Sequence, residues 1–232
     1  MKSKIPIKTA LIGYSGKMGQ SLQKLIKPSP FFKLTEKAHK ISCFSKWDPK
    51  KIQGVIDFSA PELCSEGLKW TLQNKKAFVS GTTALNLKQK QELKKASKII
   101  PVFYSENMSA GIYLFSQWLQ SLPDVKQILL EDFHHKDKKD KPSGTALRLK
   151  SNLPNFLQKK LKIKSYRKDK KIGTHRITIK MQEEILRIEH EALNREVFSK
   201  GALKALHFII NKKKGFYDLK DLYSKYNKIK PF

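Results

Sequence analysis

The sequence predicts an α/β fold with a second, smaller α+β unit, and three observations predict it. First, Thr9, Ala10, Leu11 and Ile12 form a short apolar run that leads into Gly13-Tyr14-Ser15-Gly16-Lys17-Met18-Gly19. Apolar residues then recur at helical spacing at Met18, Leu22, Leu25 and Ile26. Strand, glycine-rich turn and helix in that order are the context a dinucleotide fingerprint requires, so this part reads as a Rossmann-type nucleotide-binding domain. Second, residues 54–59, 76–80 and 99–103 are further short apolar strands, each ending in a polar turn. Strand ends of this kind in series argue for an open parallel sheet with its ligand at the carboxyl edge. Third, residues 173–181 alternate apolar with polar, and residues 184–190 read as an antiparallel partner across a tight turn.

Each element has a local reason. In the first turn, Gly13 allows the tight bend, Gly16 lets backbone approach a pyrophosphate, and Gly19 allows close packing of helix on strand. The G-x-x-G-x-x-G spacing is not the commoner G-x-G-x-x-G, and alone it also fits an ordinary strand-to-helix turn. Pro28 and Pro30 end the helix. Phe32, Lys33, Leu34 and Thr35 read as a second strand with Glu36, Lys37 or both at its end. An acid there would bind the adenosine ribose hydroxyls, and a base would favour a 2′-phosphate. Pro61 and Glu62 start a helix that runs to about Gln73. Residues 87–97 are an amphipathic helix, and residues 112–122 a largely apolar one. Residues 125–130 are a strand, and residues 146–153 a helix. Residues 153–171 read as a helix end and a very basic loop. Phe198, Ala202, Leu203, Leu206, Ile209 and Ile210 make a last helical stripe.

Between the strand at 125–130 and the helix at 146–153 lies the segment that carries the chemistry, EDFHHKDKKDKPSGTA, residues 131–146. A polar strand-to-helix connection is where scaffolds commonly present function. Ser143 or Thr145 can cap the following helix, Pro142 helps set its entry, and Gly144 admits a ligand close to backbone. Free N–H groups and the positive helix end suit a carboxylate or phosphate. Lys136, Lys138, Lys139 and Lys141 add positive charge. His134 or His135 can give or take a proton near neutral pH. A small anionic substrate that needs a proton fits these groups. The lysines alone read as a solvated basic loop.

The segment resembles the signature of the 4-hydroxy-tetrahydrodipicolinate (dihydrodipicolinate) reductase family, E-x-H-H-x-x-K-x-D-x-P-S-G-T-A. Here we match it to Glu131, His134, His135, Lys138, Asp140, Pro142, Ser143, Gly144, Thr145 and Ala146. The resemblance extends to G-x-x-G-[RK]-M-G at Gly13 to Gly19, with Lys17 in the basic position, and to V-I-D-F-[ST]-x-P-E at Val55 to Glu62. It continues through G-T-T-G at Gly81, Thr82 and Thr83, with Ala84 in place of the last glycine, and A-x-N-[FM]-S-x-G at Ser105 to Gly111. His190, Ala192 and Arg195, then Gly201 to Leu203 and Gly215 to Leu219, match later stretches. The likeness runs from about Thr9 to Leu222, interrupted near residues 31–51 and before residue 173, where the chain is shorter than the family pattern.

The resemblance implies NAD(P)H-dependent reduction of a cyclic imine dicarboxylate in diaminopimelate and lysine biosynthesis, with NADH or NADPH as cofactor. It implies a nucleotide-binding domain at residues 1–106 and 196–232 and a substrate and oligomerisation domain at 107–195, in a homo-oligomer that is a tetramer in the family. It assigns His134 as general acid and Lys138 as stabiliser of developing charge, with His135, Ser143, Gly144 and Thr145 on substrate. Gly13, Tyr14, Ser15, Gly16, Lys17, Met18, Gly81, Thr82, Thr83, Ser105, Glu106, Asn107 and Met108 are assigned to cofactor. His175 and His190 read as structural. Lys136 and Asp137 stand where the family often has arginine and histidine. The alternatives are a trimmed homologue with little or no activity and, less favoured, a basic nucleic-acid-binding protein.

Composition weighs against the last of these. The net charge is +28, but only five of the 48 basic residues are arginine, and the lysines spread along the whole chain. Arginine forks are the usual tool for gripping phosphates and reading bases. A uniform lysine excess steers dianionic substrates without defining a nucleic-acid face. No apolar run approaches the ~18 residues of a membrane span, and the N-terminus lacks a signal-peptide pattern. Cys43 and Cys64 show neither disulfide nor zinc spacing, which fits a reducing cytoplasm and no metal.

Overall fold

The computed structural model describes residues 5–136, 138–168 and 172–224. The chain divides into two compact units. One comprises residues up to Met108 and from Phe198 onward, the other Ser109–Val197.

The first unit is built on a parallel sheet. Its strands are β1 (Ile7–Ile12), β2 (Phe32–Ala38), β3 (Gly54–Asp57), β4 (Ala77–Ser80), β5 (Pro101–Tyr104) and a late strand, β10 (Gly215–Tyr217), in the order β10-β5-β4-β3-β1-β2. Every pairing among them is parallel. The helices are α1 (Lys17–Ile26), α2 (Pro61–Gln73), α3 (Leu87–Ala96), α7 (Glu196–Ile209) and α8 (Leu219–Tyr223). Strands covered on both faces are near-continuously apolar. Hence Gly54-Val55-Ile56-Asp57 and Ala77-Phe78-Val79-Ser80 are buried at every position. Ala10, Ile12, Val55, Phe78 and Val102 pack with Phe44, Trp47, Leu68 and Leu93 to form the core. The crossover from β2 to β3 is made by two short 3-10 turns, Ile41–Lys46 and Pro49–Lys51, in place of an α-helix.

The second unit contains α4 (Ala110–Gln120), β6 (Gln127–His134), α5 (Gly144–Ser151), α6 (Asn155–Gln158), β7 (Leu161–Arg167), β8 (Thr174–Lys180) and β9 (Ile185–Glu191). The sheet order is β7-β6-β8-β9. β6 and β7 are parallel, and the other two pairings are antiparallel. Along β6 the buried residues alternate, Ile128, Leu130, Asp132 and His134. A strand's successive side chains point to opposite faces, so one face carries both core and site. Ile128 and Leu130 pack with Ile112, Leu119, Leu149, Leu157, Ile177 and Ile179.

Three sequence expectations need correction. β2 does not stop at Thr35 but runs to Ala38, so Glu36 and Lys37 lie inside it and His39 follows its end. Residues 161–167 form a strand where the sequence suggested basic loop. Their lysines fall at alternate positions and point outward while Leu161 and Ile163 face in, so the charge masked a period-two pattern. The strand expected at residues 125–130 continues to His134, which puts that histidine on the sheet rather than in the connection.

Candidate functional site

In the first unit, the glycine turn after β1 has the geometry of a phosphate cradle. Gly13 adopts φ +79° and donates its N–H to Ala38 O at 2.8 Å. A Cβ on it would lie 2.2 Å from Phe58 O, and a Cβ on Gly19 would lie 2.2 Å from Gly13 O. Neither position admits a side chain, which is why both are glycine. Gly16 caps α1 without a side-chain acceptor, so the first amides of the helix, at Lys17 and Met18, have no intrahelical partner. These N–H groups and the positive end of a ten-residue helix fit a pyrophosphate. Ser15, Gly16 and Lys17 are exposed there, and Tyr14 and Met18 are half-buried.

The ends of β3 and β4 are tied by Asp57, which is wholly buried. Its carboxylate accepts from Ser59 Oγ, from Ser80 Oγ at 2.8 Å and from Thr82 Oγ1 at 2.7 Å. Burial pushes this carboxyl above its ordinary range, and the hydroxyl and thiol donors around it recover only part of the displacement. The side chain of Thr82 therefore braces the loop, while Thr83 is exposed beyond it. Beyond β5, Ser105 N donates to Ser80 O and Ser105 Oγ to Asn107 O. Glu106 pairs with Lys90 at 2.8 Å and accepts from Tyr104 OH. Met108 is buried, and its carbonyl lies where a Cβ on Gly201 would stand, 2.0 Å away. This seats α7 against the chain at that point.

In the second unit a single carboxylate organises the site. Asp132, fully buried, lies with Oδ1 2.9 Å from His134 Nε2 and 3.3 Å from His175 Nε2. The His134 contact is too poorly directed to count as a hydrogen bond. Ser143 donates Oγ–H to Oδ1 at 2.8 Å and N–H to Oδ2 at 2.9 Å. Arg167 Nη2 lies 3.1 Å from Oδ2. Burial alone would push the Asp132 carboxyl up. The His134, His175 and Ser143 contacts reverse this, and the net displacement is far downward. His134 Nδ1 lies 3.1 Å from Ile172 O, which fixes the ring from its other side. His175 is held below the ordinary imidazole range by burial, which outweighs its contact to Asp132.

The connection from His134 to α5 folds back on itself. Ser143 caps α5 by accepting Ala146 N at 3.1 Å. Asp140 accepts Gly144 N at 3.2 Å and pairs with Lys138 Nζ at 2.7 Å. The sequence reading left the helix start open to an anion. In the structure the anion on Gly144 N is the chain's own Asp140. His135 and Thr145 are half-buried, and Asp137 lies outside the described residues.

One assignment is corrected here. The acid of the E-x-H-H pattern is Asp132, not Glu131. Glu131 points to the other face of β6, where Arg176 lies 3.9 Å away and also pairs with Glu189. The alternation of Ile128, Leu130 and His134 carried that signal in the sequence. Arg167 and His175 were not expected in the site. Strand pairing brings them in, as His134 lies opposite Arg167 on β7 and Asp132 opposite His175 on β8. Asp132, His134 and His175 also place three potential metal-ligating atoms within 4.8 Å of one another. With Arg167 and Ser143 already on the carboxylate, the cluster is arranged as an ion pair in a hydrogen-bonded frame, and the guanidinium opposes a bound cation.

A family model described as dihydrodipicolinate reductase, N-terminus, matches residues 7–108, and its C-terminus counterpart matches residues 111–223. A relative from Bdellovibrio bacteriovorus named 4-hydroxy-tetrahydrodipicolinate reductase is 38% identical over 93% of this chain and 96% of its own length. A relative of the same name from Pelagibacter ubique is 36% identical over 93% of this chain and 97% of its own. Among solved structures, a dipicolinate-bound dihydrodipicolinate reductase from Paenisporosarcina sp. TG-14 superposes with a TM-score of 0.73 at 20% identity, covering 93% of this chain and 98% of that one. A myo-inositol dehydrogenase from Corynebacterium glutamicum shares the fold at a TM-score of 0.61 and 10% identity, covering 91% and 90% of the two chains.

Proposed function

The chain belongs to the dihydrodipicolinate reductase family, and we propose that it catalyses NAD(P)H-dependent reduction of 4-hydroxy-tetrahydrodipicolinate to tetrahydrodipicolinate, a step of diaminopimelate and lysine biosynthesis. A bound nicotinamide supplies the hydride. Gly13, Gly16, Lys17 and Met18 hold the pyrophosphate on the start of α1, with Tyr14 and Ser15 beside it. Gly81, Thr82, Thr83 and residues 105–108 frame the strand ends braced by Asp57.

The substrate's carboxylates are held by Gly144, Thr145 and His135; Ser143, expected there from the sequence, instead gives both its N–H and its O–H to Asp132 and braces the start of α5. One of them takes the place of Asp140 on Gly144 N and Lys138. His134 is the general acid. Its Nδ1 faces Ile172 O and its Nε2 faces the Asp132 carboxylate, so the ring is held on both sides. Lys138 stabilises the negative charge that builds on the acceptor as hydride arrives. Asp132 positions His134 and Ser143 together. That shared anchor, in a chain with relatives of this name, is the observation that carries the reading.

We infer a homo-oligomer, a tetramer by family likeness. The face of the mixed sheet that bears the stacked Phe133 and Tyr166 is the surface for self-association. Light scattering on the purified protein checks this, and a monomer at micromolar concentration would refute it. No helix among the described residues is long and apolar enough to cross a membrane, and Cys43 and Cys64 are free thiols. We place the reaction in the cytoplasm. The test of function is steady-state oxidation of NADPH and NADH with the substrate. His134→Gln and Lys138→Ala each lower kcat by about 100-fold or more, since general acid and charge terms supply ~10²–10⁴. Absence of turnover at saturating substrate would instead mark a homologue without this activity.

A further inference from the structure

We propose that Arg167 is a positioning residue for the reduction: its guanidinium ties the loop that carries Lys138 and Asp140 to the strand that carries His134. The inference rests on the reductase reading. Arg167 is the last residue of β7 and lies opposite His134 in the parallel pairing of β7 with β6. Its side chain turns back across β6. Nη1 donates to Tyr166 O at 2.9 Å and to Asp132 O at 3.3 Å. Nη2 donates to Asp132 Oδ2 at 3.1 Å and to Asp140 O. One planar group therefore holds together the main chain of β6, its buried carboxylate and the main chain of the loop. A lysine ammonium is a compact point charge on a flexible stem and lacks the rigid fork that spans these acceptors. The chain uses lysine for all but five of its 48 basic residues, yet has arginine here.

Asp140 is where this clamp meets the reacting groups. Its carbonyl is held by Arg167, while its carboxylate pairs with Lys138 Nζ at 2.7 Å and accepts Gly144 N at 3.2 Å. In the reductase reading a substrate carboxylate displaces that side chain from Gly144 and Lys138. The main-chain contact to Arg167 is separate from the exchange and keeps the loop in place through it. From the far end of the loop, Ser143 ties to the same Asp132 carboxylate through its N–H and O–H. Exposure separates the two layers. The Arg167 side chain is 11% exposed, against 27% for Lys138 and 51% for Asp140. Arg167 thus lies beneath the loop and acts through Lys138 and Gly144 rather than on substrate.

Arg167→Lys tests this, because it keeps a cation beside Asp132 and removes the fork. Steady-state kinetics, calorimetric titration with NADPH and NADH, and amide hydrogen exchange are read on the full chain, well below its melting temperature. The expected result is a kcat lower by about 10- to 100-fold, as for loss of one charge-assisted hydrogen bond. The KM for substrate rises, nucleotide affinity is unchanged, and the Gly144 amide exchanges faster while those of β1 to β5 do not. A residue that served stability alone would leave kcat per folded molecule as it was. Arg167→Gln, which keeps a planar donor and loses the charge, is the second variant and shows the same pattern. A wild-type kcat in both variants overturns the proposal and leaves the reductase reading standing. So does a parallel loss of nucleotide affinity, or loss of the folded circular dichroism spectrum in both. Absence of turnover in the wild-type chain overturns both readings.

Discussion

Asp132→Ala removes the carboxylate that faces Arg167, His134 and His175, and its cost follows from the geometry. The carboxylate is fully buried, and the Arg167 side chain is only 11% exposed. At 3.1 Å and an effective dielectric of about 20, the pair's attraction is ~5 kcal/mol. Desolvation offsets much of this while both partners are present, but removing one partner strands the other, at about 3–5 kcal/mol. The Ser143 N–H and O–H lose their acceptor in the same step. Against a typical total of ~5–15 kcal/mol this is a large fraction. For a chain of this size it lowers Tm by roughly 6–20 °C. Urea denaturation followed by far-ultraviolet circular dichroism measures the loss. Adding Arg167→Met to the same chain should restore part of it, because the second change removes the stranded charge. A loss under about 1 kcal/mol in the single variant would refute the reasoning. So would a double variant whose loss equals the sum of the two singles.

Gly13→Ala should lower stability by about 1–3 kcal/mol, through a clash with Phe58 O at 2.2 Å and a φ of +79°. It should also weaken nucleotide binding at least tenfold, as read by calorimetry. Ala84 has φ +61°, so Ala84→Gly should relieve ~1 kcal/mol and raise Tm by about 2–4 °C in a thermal scan. A Cβ on Gly173 would lie 2.9 Å from His134 Cε1. Gly173→Ala should therefore displace that ring and reduce kcat with the circular dichroism spectrum unchanged. Stability should fall as pH drops below about 6.5. Burial holds His175 and His190 below the ordinary imidazole range, so the unfolded chain takes up protons there that the folded chain does not. Asp132 adds to the decline only below about pH 4, where the unfolded carboxylate begins to bind protons before the folded one. Tm measured from pH 7.5 downward checks the window, and a profile flat to pH 5 would contradict it.

The nucleotide-binding unit was legible because its demands are local. A turn that must bend at Gly13 and let a helix approach at Gly19 writes glycines at fixed spacing, and a strand buried on both faces writes an apolar run such as Gly54 to Ile56. The other unit was harder to read where charge hid periodicity. Leu161–Arg167 alternates, but its outward lysines made it look like loop, and β2 extends past Thr35 because pairing with β1 continues to Ala38. Within the site, the His134-to-Thr145 segment was visible as a motif, while the identity of its anchoring acid was not. Glu131 and Asp132 are neighbours in sequence, and only the facing of β6 separates a core carboxylate from a surface one.

The order of residues fixed by itself the family, the succession of strands and helices, and the short segment that holds the imidazole, the ammonium group and the helix cap. Those features depend on contacts a few residues apart, where spacing and side-chain type suffice. Tertiary structure alone decided that Arg167 and His175 close around Asp132, that Asp140 occupies the start of α5, and that His39 rather than Glu36 follows the end of β2. Each of these depends on strand register or chain reversal over tens of residues, and a single step in register turns a side chain to the opposite face.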